Sequence, residues 1–207
     1  MSDQKCLSSG PWRAALGVIF TARGAEEAIV PVLWSENTFV AKAGGSEVLA
    51  QMWTFPDKKG RACCLISEAT ALFQETAREL LGRAKEKRFS YIARCYRYER
   101  PQAGQYREFT QLGFEYLSPD PEAAAAESLA IARGFLNSLG ILYECDESAR
   151  RGLTYYLGGK GFELKCPALG AQCQVAGGGA YREGAGFAIG LERLRLALVE
   201  QGASIVN

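Results

Sequence analysis

Histidine is absent from this chain of 207 residues. Its absence excludes histidine-based acid–base catalysis, Ser–His and Cys–His nucleophile pairs, and most transition-metal sites. Any catalysis must therefore come from Arg, Lys, Glu, Asp, Tyr or Cys side chains, or from bound Mg²⁺. An electrostatic clamp on phosphates is compatible with this restriction, because it requires fixed positive charge and no side-chain base.

Paired cysteine motifs, long apolar runs and a strong net charge are also lacking. The 7 cysteines are an odd number without a Cys-x-x-Cys pair, so we expect reduced thiols and neither zinc nor a disulfide framework. No run is long enough to cross a bilayer and the first residues lack a signal-peptide core, so we expect a cytoplasmic protein without membrane contact. The net charge of +1 provides no global attraction for nucleic acid, although a local basic cleft is compatible with it.

Length and hydrophobic content favour one globular unit. Hydrophobic residues make up 48% of the chain, which is sufficient for a full core, and we find no internal repeat or linker. We therefore expect a single domain over residues 1–207. Many short strand patterns and about four helical patterns predict an α+β fold, with a mainly antiparallel sheet flanked by helices.

Local patterns predict the following elements. In the first half we expect helices at 11–23 and 67–81 (with Ser67 as N-cap), helical turns at 35–40 and 46–50, strands at 26–33 and 90–98, and a hairpin over 52–66. In the second half we expect helices at 122–139 and 187–199, strands at 141–145, 151–163 and 174–176, and a turn at 183–186, and the triple glycine at 177–179 allows a close backbone approach.

The stretch RYERPQAGQYREFTQLGFEYL, residues 97–117, reads as a charged hairpin. Its Pro-Gln-Ala-Gly turn separates two strand-like segments. Alternation along the strands would place Arg97, Glu99, Arg107 and Gln111 on one face. Such a face suits a charged, polar ligand, and a solvated edge hairpin is an equally good reading of composition alone.

Five segments, in the same order, together resemble the class II aminoacyl-tRNA synthetases, and within them the histidyl-tRNA synthetase-like branch. They are a helix–Gly–strand with Pro31 around 11–33 (motif 1), CLISEAT at 64–70 (the segment that reads the amino acid), the hairpin around 91–117 (motif 2), RGLTYYLGGKGFEL at 151–164 (the histidine signature), and GFAIGLERL at 186–194 within motif 3, around 186–199. The resemblance implies the class II antiparallel sheet, ATP with Mg²⁺ as cofactors, and a homodimer formed through motif 1.

The resemblance assigns the nucleotide site to motifs 2 and 3. Arg97 would hold the α-phosphate, Glu99 would contact the adenine, and Phe109 would stack on it. Arg107 would take charge from the outer phosphates, and Arg193 would clamp the nucleotide from the other side.

The resemblance also assigns an amino-acid site. Glu68, Thr70 and Gln111 would hold the α-amino group, and Glu115 and Tyr156 would grip an imidazole ring, which favours histidine. Two further residues complete the set: Tyr181 would close the pocket, and Arg151 would contact the carboxylate and the α-phosphate where other class II enzymes place a metal. The implied catalytic residues are Arg97, Arg151 and Arg193.

The chain also departs from the family pattern. Gln105 replaces a motif 2 arginine, and Ile66, Thr154, Leu157 and Ala180 differ from the usual residues of the amino-acid segments. The expected insertion domain and anticodon-binding domain are missing, so the resemblance implies a truncated paralogue for which tRNA is not the expected acceptor.

Two functions from different classes remain open at this point. The first is an enzyme that activates histidine or a relative as an aminoacyl-adenylate and passes it to an acceptor other than tRNA, such as a protein partner or carrier, or to tRNA weakly. The second is a non-catalytic paralogue such as the regulatory subunit of ATP phosphoribosyltransferase in histidine biosynthesis. The retained arginines favour the enzyme.

Overall fold

A computed structural model describes residues 23–42, 49–100 and 104–202. The helix predicted at 11–23 and most of the turn at 46–50 lie outside these residues. The described helices are α1 (Glu36–Lys42), α2 (Thr70–Glu75), α3 (Ala77–Leu81), α4 (Pro121–Ser138) and α5 (Leu191–Glu200). The described strands are β1 (Glu26–Ala28), β2 (Leu33–Ser35), β3 (Trp53–Pro56), β4 (Ala62–Leu65), β5 (Lys87–Tyr96), β6 (Glu108–Leu117), β7 (Glu144–Arg150), β8 (Lys160–Lys165), β9 (Gln174–Tyr181) and β10 (Gly184–Gly190).

A large mixed sheet organises the described chain. Its 7 strands follow the order β1-β5-β6-β10-β9-β8-β7, and every neighbouring pair is antiparallel except β1 with β5. A second sheet of 3 strands has the order β2-β4-β3 and contains the predicted hairpin. The α+β prediction, with a mainly antiparallel sheet and flanking helices, is confirmed.

Side chains alternate along each strand, so the two faces of the large sheet carry different residues and pack against different helices. On one face, Leu112, Phe114 and Phe187 pack against α4 and α5 in a continuous apolar core. On the other face, Phe89 and Tyr91 pack against α2 and α3, and the remaining width of the sheet is left for polar residues and glycines. Gln111 and Glu115, which the resemblance assigns to the site, lie on this second face.

The prediction of a helix capped by Ser67 was wrong. The helix begins only at Thr70, without a side-chain cap, and a break at Thr76 separates α2 from α3. The buried Ser67 hydroxyl has no hydrogen-bond partner among the described residues. Instead, a carboxylate oxygen of Glu68, one residue before the N-cap position Ala69, accepts the amide N–H of Ala71 at 3.0 Å and so satisfies one N–H group of the first turn.

The turn predicted at 183–186 ends at Glu183, the triple glycine at 177–179 lies within strand β9, and the last helix starts later than predicted. The glycines pair in register along β9 and β10, for example Gly178 with Phe187. A Cβ atom at Gly178 would lie 2.2 Å from the carbonyl oxygen of Gly186, so this pairing requires glycine. The alternation of Ala185, Phe187 and Ile189 has the period of a strand, and helix α5 starts only at Leu191.

The other predicted strands differ from the observed strands in their bounds. The single strand predicted at 26–33 is divided into β1 and β2, with Pro31 between them, because proline has no N–H to donate to a ladder. The strands predicted at 141–145 and 151–163 are β7 and β8, and the intervening loop contains a 3₁₀ turn at Leu157–Gly159. This loop brings Arg151 and its neighbours over the polar face. Among the described residues, no helix is long and apolar enough to cross a membrane.

Candidate functional site

A cleft of about 250 Å³ opens on the polar face of the large sheet. Its floor comes from β6, β9 and β10, and its walls from the segment before α2, the loop after β7 and the start of α5. Most of the residues assigned by the resemblance line it. They are Glu68, Thr70, Arg97, Glu99, Phe109, Gln111, Arg151, Tyr156 and Arg193.

Arg97 and Arg193 face this cleft from two different elements. Arg97 follows β5, donates from Nε to the carbonyl oxygen of Ser67 at 3.2 Å, and lies over the Phe109 ring, with 5.0 Å from Cζ to the ring centroid. Arg193, in the first turn of α5, donates to the carbonyl oxygens of Gly104 at 2.9 Å and Gln174 at 3.1 Å. Burial and the neighbouring Arg97 charge lower the pKa of Arg193, so the two cations lie close enough to repel each other. An anion between them would relieve that repulsion.

Arg107 lies outside the cleft lining. Its side chain is exposed, stacks over the Tyr98 ring with 4.4 Å between Cζ and the centroid, and donates from Nε to the carbonyl oxygen of Glu99 at 3.1 Å. Its role with the outer phosphates remains a prediction.

Arg151 crosses the glycine-rich part of the floor. Its Nη1 donates to a carboxylate oxygen of Glu163 at 2.8 Å, and its Cζ lies 5.1 Å from the centroid of the Tyr156 ring. A Cβ atom at Gly177 would lie 2.7 Å from Nη1. The glycines of β9 therefore leave the space in which this guanidinium lies.

A buried carboxylate, Glu115, forms the deep end of the site beneath the cleft lining. Thr70 Oγ1 donates to its Oε1 and Tyr181 OH donates to its Oε2, both at 2.6 Å. Tyr91 OH is 3.4 Å from Oε1. A Cβ atom at Gly186 would lie 2.1 Å from Oε2, so a glycine is required there too. Tyr181 is fully buried and holds Glu115 from below.

Burial dominates the electrostatics of this end. It raises the pKa of Glu115 to about 8, against the lowering effect of the bonds from Thr70 and Tyr181 and with the added repulsion of Glu68. Burial also raises the pKa of Glu68, while the Ala71 amide and Arg97 oppose that rise. Two carboxylates that burial makes costly to ionise provide a strong attraction for a cationic ligand.

Several residues that line the cleft were not selected from the sequence, among them Tyr155, Glu192 and Gln174. Tyr155 OH lies 3.4 Å from Glu68 Oε2, and its ring is 4.6 Å from that of Tyr156. Glu192 accepts the backbone N–H of Thr110 with both oxygens, at 2.9 and 3.0 Å, and joins α5 to β6. Gln174 lies beside Gly177 and Arg151. The adjacent tyrosines Tyr155 and Tyr156 could be noticed in the sequence, but the sequence alone does not show which of the two rings faces Glu68.

The described residues contain no group of three or more His, Cys, Asp or Glu side chains that could hold a metal ion. The cleft carboxylate Glu192 would suit a Mg²⁺ ion that keeps phosphate and water as its main ligands, as Mg²⁺ usually does with nucleotides.

The family profile described as histidyl-tRNA synthetase matches residues 11–144 of the chain. The chain belongs to the histidyl-tRNA synthetase family. Among relatives, the histidine–tRNA ligase of Methanosphaerula palustris is 37% identical over 125 residues, covering 58% of this chain and 30% of that protein. The histidine–tRNA ligase of Archaeoglobus fulgidus is 35% identical over 124 residues, covering 59% of this chain and 30% of that protein. The match thus spans about 30% of these relatives' length.

Solved structures share the class II fold of this family member. The S. aureus histidyl-tRNA synthetase superposes with a TM-score of 0.74 at 24% identity, covering 100% of this chain and 70% of that one. The histidine–tRNA ligase subunit of Alicyclobacillus acidocaldarius also has a TM-score of 0.74, at 16% identity, covering 97% of this chain and 96% of that one. An ATP phosphoribosyltransferase regulatory subunit/histidyl-tRNA synthetase of Bacillus halodurans has a TM-score of 0.71 at 16% identity, covering 90% of this chain and 78% of that one.

The departures from the histidyl-tRNA synthetase pattern occupy different places. Gln105 lines the cleft, so the change from arginine removes a charge from the site itself. Thr154 and Leu157 are exposed and are not among the residues that line it. Between motif 2 and Arg151, the chain holds only α4 and β7, so no insertion domain lies between these two parts of the site.

Proposed function

We propose that this cleft binds ATP and an amino acid, with histidine favoured, and joins them into an aminoacyl-adenylate. The observation that carries the proposal is the convergence of Arg97, Arg151, Arg193 and the buried acid Glu68 in one cleft, with the buried acid Glu115 beneath it. A site with both cationic and acidic groups suits a ligand pair that carries both anionic and cationic groups.

The acidic end suits an amino acid with a basic side chain. The Glu68 carboxylate, the Thr70 hydroxyl and the Gln111 amide line the cleft where an α-ammonium group would bind. Glu115 lies deeper and would face a ring nitrogen, with which a carboxylate forms a charge-assisted hydrogen bond. The Tyr156 ring would cover one side of this ligand.

The basic end suits the nucleotide. Phe109 offers a ring for stacking on adenine, and Glu99 lies beside it as an acceptor for an exocyclic amine. Arg97 and Arg193 would hold the phosphates between them. Mg²⁺ would neutralise the outer phosphates, held mainly by their oxygens and by water, with the Glu192 carboxylate lining the same cleft.

The reaction needs no side-chain base, which agrees with a chain without histidine. The amino-acid carboxylate is already ionised, and one of its oxygens attacks the α-phosphorus. A new O–P bond forms, the bond from the α-phosphorus to the bridging oxygen breaks, and pyrophosphate leaves with that electron pair. The chief barrier is the approach of two anions, and the arginines lower it by stabilising the charge of the transition state.

The acceptor of the adenylate is proposed to be a protein partner or carrier, because Gln105 weakens the basic cleft and the net charge of +1 provides little attraction for tRNA. We also propose a homodimer through motif 1, whose residues 11–22 lie outside the described part of the chain.

Amino-acid-dependent exchange of labelled pyrophosphate into ATP tests this proposal across the twenty amino acids. We expect exchange with histidine, and a loss of more than about 100-fold in Arg97→Ala, the scale expected when a transition-state charge contact is removed. Arg94→Ala is the matched control, because Arg94 lies on the same strand β5 but is exposed and pairs with Glu108 outside the cleft. If none of the twenty amino acids supports exchange, the proposed amino-acid-activating function is refuted.

A second candidate function is a non-catalytic regulator that binds histidine. The fold shared with the Bacillus halodurans regulatory subunit/histidyl-tRNA synthetase and the loss of an arginine at Gln105 favour it. For this candidate, histidine raises the melting temperature without any exchange, since a ligand that binds only the folded state stabilises it. Co-purification with a phosphoribosyltransferase would then identify its partner.

A further inference from the structure

The Arg151 side chain is held in a fixed path across the floor. Its backbone N–H donates to the carbonyl oxygen of Gly159 at 2.9 Å, which fixes the start of the side chain. A Cβ atom at Gly161 would lie 3.0 Å from its Cγ, and one at Gly177 would lie 2.7 Å from its Nη1. Two glycines on adjacent strands, β8 and β9, therefore provide the channel through which this side chain runs.

Glu163 lies at the end of that channel. It is on β8, two residues after Gly161, so its side chain is on the same face of the sheet. Its Oε1 accepts Arg151 Nη1 at 2.8 Å, and the two side chains are only 18% and 13% exposed. The Nε–H of Arg151 is buried and has no hydrogen-bond partner among the described residues. One edge of the guanidinium is thus fixed, and the Nε–H remains for a ligand.

The charge of Glu163 is shared with a second cation. Lys165 lies two residues further along β8, and its Nζ is 3.3 Å from Glu163 Oε2 and 3.6 Å from Asp146 Oδ2 on β7. Glu163 therefore orients Arg151 through one oxygen while Lys165 balances the other oxygen. The positive charge of Arg151 is then only partly neutralised, and it stays available on the cleft side.

We propose that Glu163 is a positioning residue for adenylate formation, acting through Arg151. This inference rests on the proposed function. Glu163 sets the direction of the guanidinium so that its free edge meets the amino-acid carboxylate and the α-phosphate together. Without Glu163, the arginine keeps its charge but loses its direction, and a group that must bridge two reacting anions depends on direction.

The kinetic test compares Glu163→Gln with Glu163→Asp in the exchange assay. We expect Glu163→Gln to lower kcat about 10- to 100-fold, the range typical of residues that orient a reacting group, with KM for ATP and histidine changed less than about threefold. Glu163→Asp should restore part of the rate. In Arg151→Ala/Glu163→Gln, the loss should equal that of Arg151→Ala alone, because Glu163 acts only through Arg151. A loss of kcat in the double variant equal to the product of the two single-variant losses would overturn the proposal.

Asp146→Asn is the matched control. It removes the same charge from the same β7–β8 hairpin and touches Lys165, but it has no bond to Arg151. Its kcat should stay within about twofold of the wild type, the scale of a weak surface ion pair. An equal loss in Asp146→Asn and Glu163→Gln would show a general electrostatic effect and contradict positioning.

A ligand-free measurement separates this inference from the proposed function. In the NMR spectrum of ¹⁵N-arginine-labelled protein, we expect slow rotation and separate Nη signals for Arg151 in the wild type and in Asp146→Asn, and averaged signals in Glu163→Gln. If the Arg151 signals differ between these proteins as expected but no amino acid supports exchange, the orientation of Arg151 by Glu163 is supported and the proposed enzymatic activity is refuted. If exchange occurs but the Arg151 signals are the same in all three proteins, the positioning inference falls.

Discussion

Thr70 and Tyr181 donate hydrogen bonds to opposite oxygens of Glu115, each at 2.6 Å. One donor comes from the start of α2 and the other from β9, while Glu115 itself is on β6. The carboxylate is therefore fixed by three separate elements of the fold. Since burial still raises its pKa to about 8, this acid keeps a proton at neutral pH until a cation or higher pH removes it.

The first prediction concerns stability against pH. The folded protein holds the Glu115 proton up to about pH 8. The ordinary pKa of a glutamic acid is 4.5, so the unfolded chain releases the same proton at a lower pH. The folded state thus binds more protons between these values, and the free energy of unfolding falls as pH rises through this window. Glu68, whose pKa is also raised, acts in the same direction.

Urea unfolding at intervals from about pH 5 to 9 measures this effect. Glu115→Gln should flatten the decline relative to the wild type, because an amide does not titrate. Glu122→Gln, at an exposed position in the first turn of α4, is the control and should leave the profile unchanged. Parallel profiles for the wild type and Glu115→Gln would contradict a raised pKa at Glu115.

The second prediction concerns the binding of histidine. An ion pair between Glu115 and an imidazolium ring requires one proton, which Glu115 supplies at pH 7. Above about pH 8 neither partner carries it, so binding must take a proton from solution and the affinity should fall about tenfold per pH unit. Calorimetry in buffers of different ionisation enthalpy measures that uptake. Uptake that is zero at pH 9 would show that no ion pair forms.

The third prediction concerns the glycine beneath the acid. Gly186→Ala would place a Cβ atom 2.1 Å from Glu115 Oε2 and 2.6 Å from the carbonyl oxygen of Phe114, so either the acid or the strand must move. We expect a loss of stability of about 1–3 kcal/mol, the usual cost of overpacking, together with weaker histidine binding.

Gly134→Ala is the opposite case and serves as the control. Gly134 lies within α4, is exposed, and a Cβ atom there meets nothing within 4 Å. The substitution should stabilise the protein by about 0.5–1 kcal/mol, because alanine favours the helix over glycine. Equal effects of the two substitutions in thermal unfolding would contradict the close packing at Gly186.

The fourth prediction separates two arginines of the motif 2 hairpin. Arg107 is exposed and stacks on Tyr98, whereas Arg97 lines the cleft. Arg107→Ala should raise KM for ATP by less than about threefold with little change in kcat, because it removes only ground-state binding. A loss in kcat as large as that of Arg97→Ala would show that Arg107 turns into the cleft when ATP binds.

The motifs could be read from the sequence because they depend on local order. The segments around Glu68, Arg97, Arg151 and Arg193 follow one another in family order, and the structure brings these side chains into one cleft. Period-two patterns also predicted the hairpins. The fold class and the family were therefore accessible before any coordinates.

The remaining features depend on contacts between distant residues. The triple glycine at 177–179 has little strand propensity of its own, and its pairing with β10 makes it part of β9. Ser67 is a good cap by residue type, but the helix starts only at Thr70, and the Glu68 carboxylate accepts the Ala71 amide instead. Glu192 has an ordinary helix-start sequence, and its use of both oxygens on the Thr110 amide appears only when α5 meets β6.

Formation of the adenylate itself is the most direct test of the central claim. Protein in molar excess over α-³²P-labelled ATP, with Mg²⁺ and histidine, should convert the label to a protein-bound aminoacyl-adenylate and release one pyrophosphate per adenylate. Arg97→Ala should form none on the same timescale, and Arg94→Ala should match the wild type. Label that stays in ATP with histidine and with every other amino acid, in a protein that still binds histidine, would contradict the account.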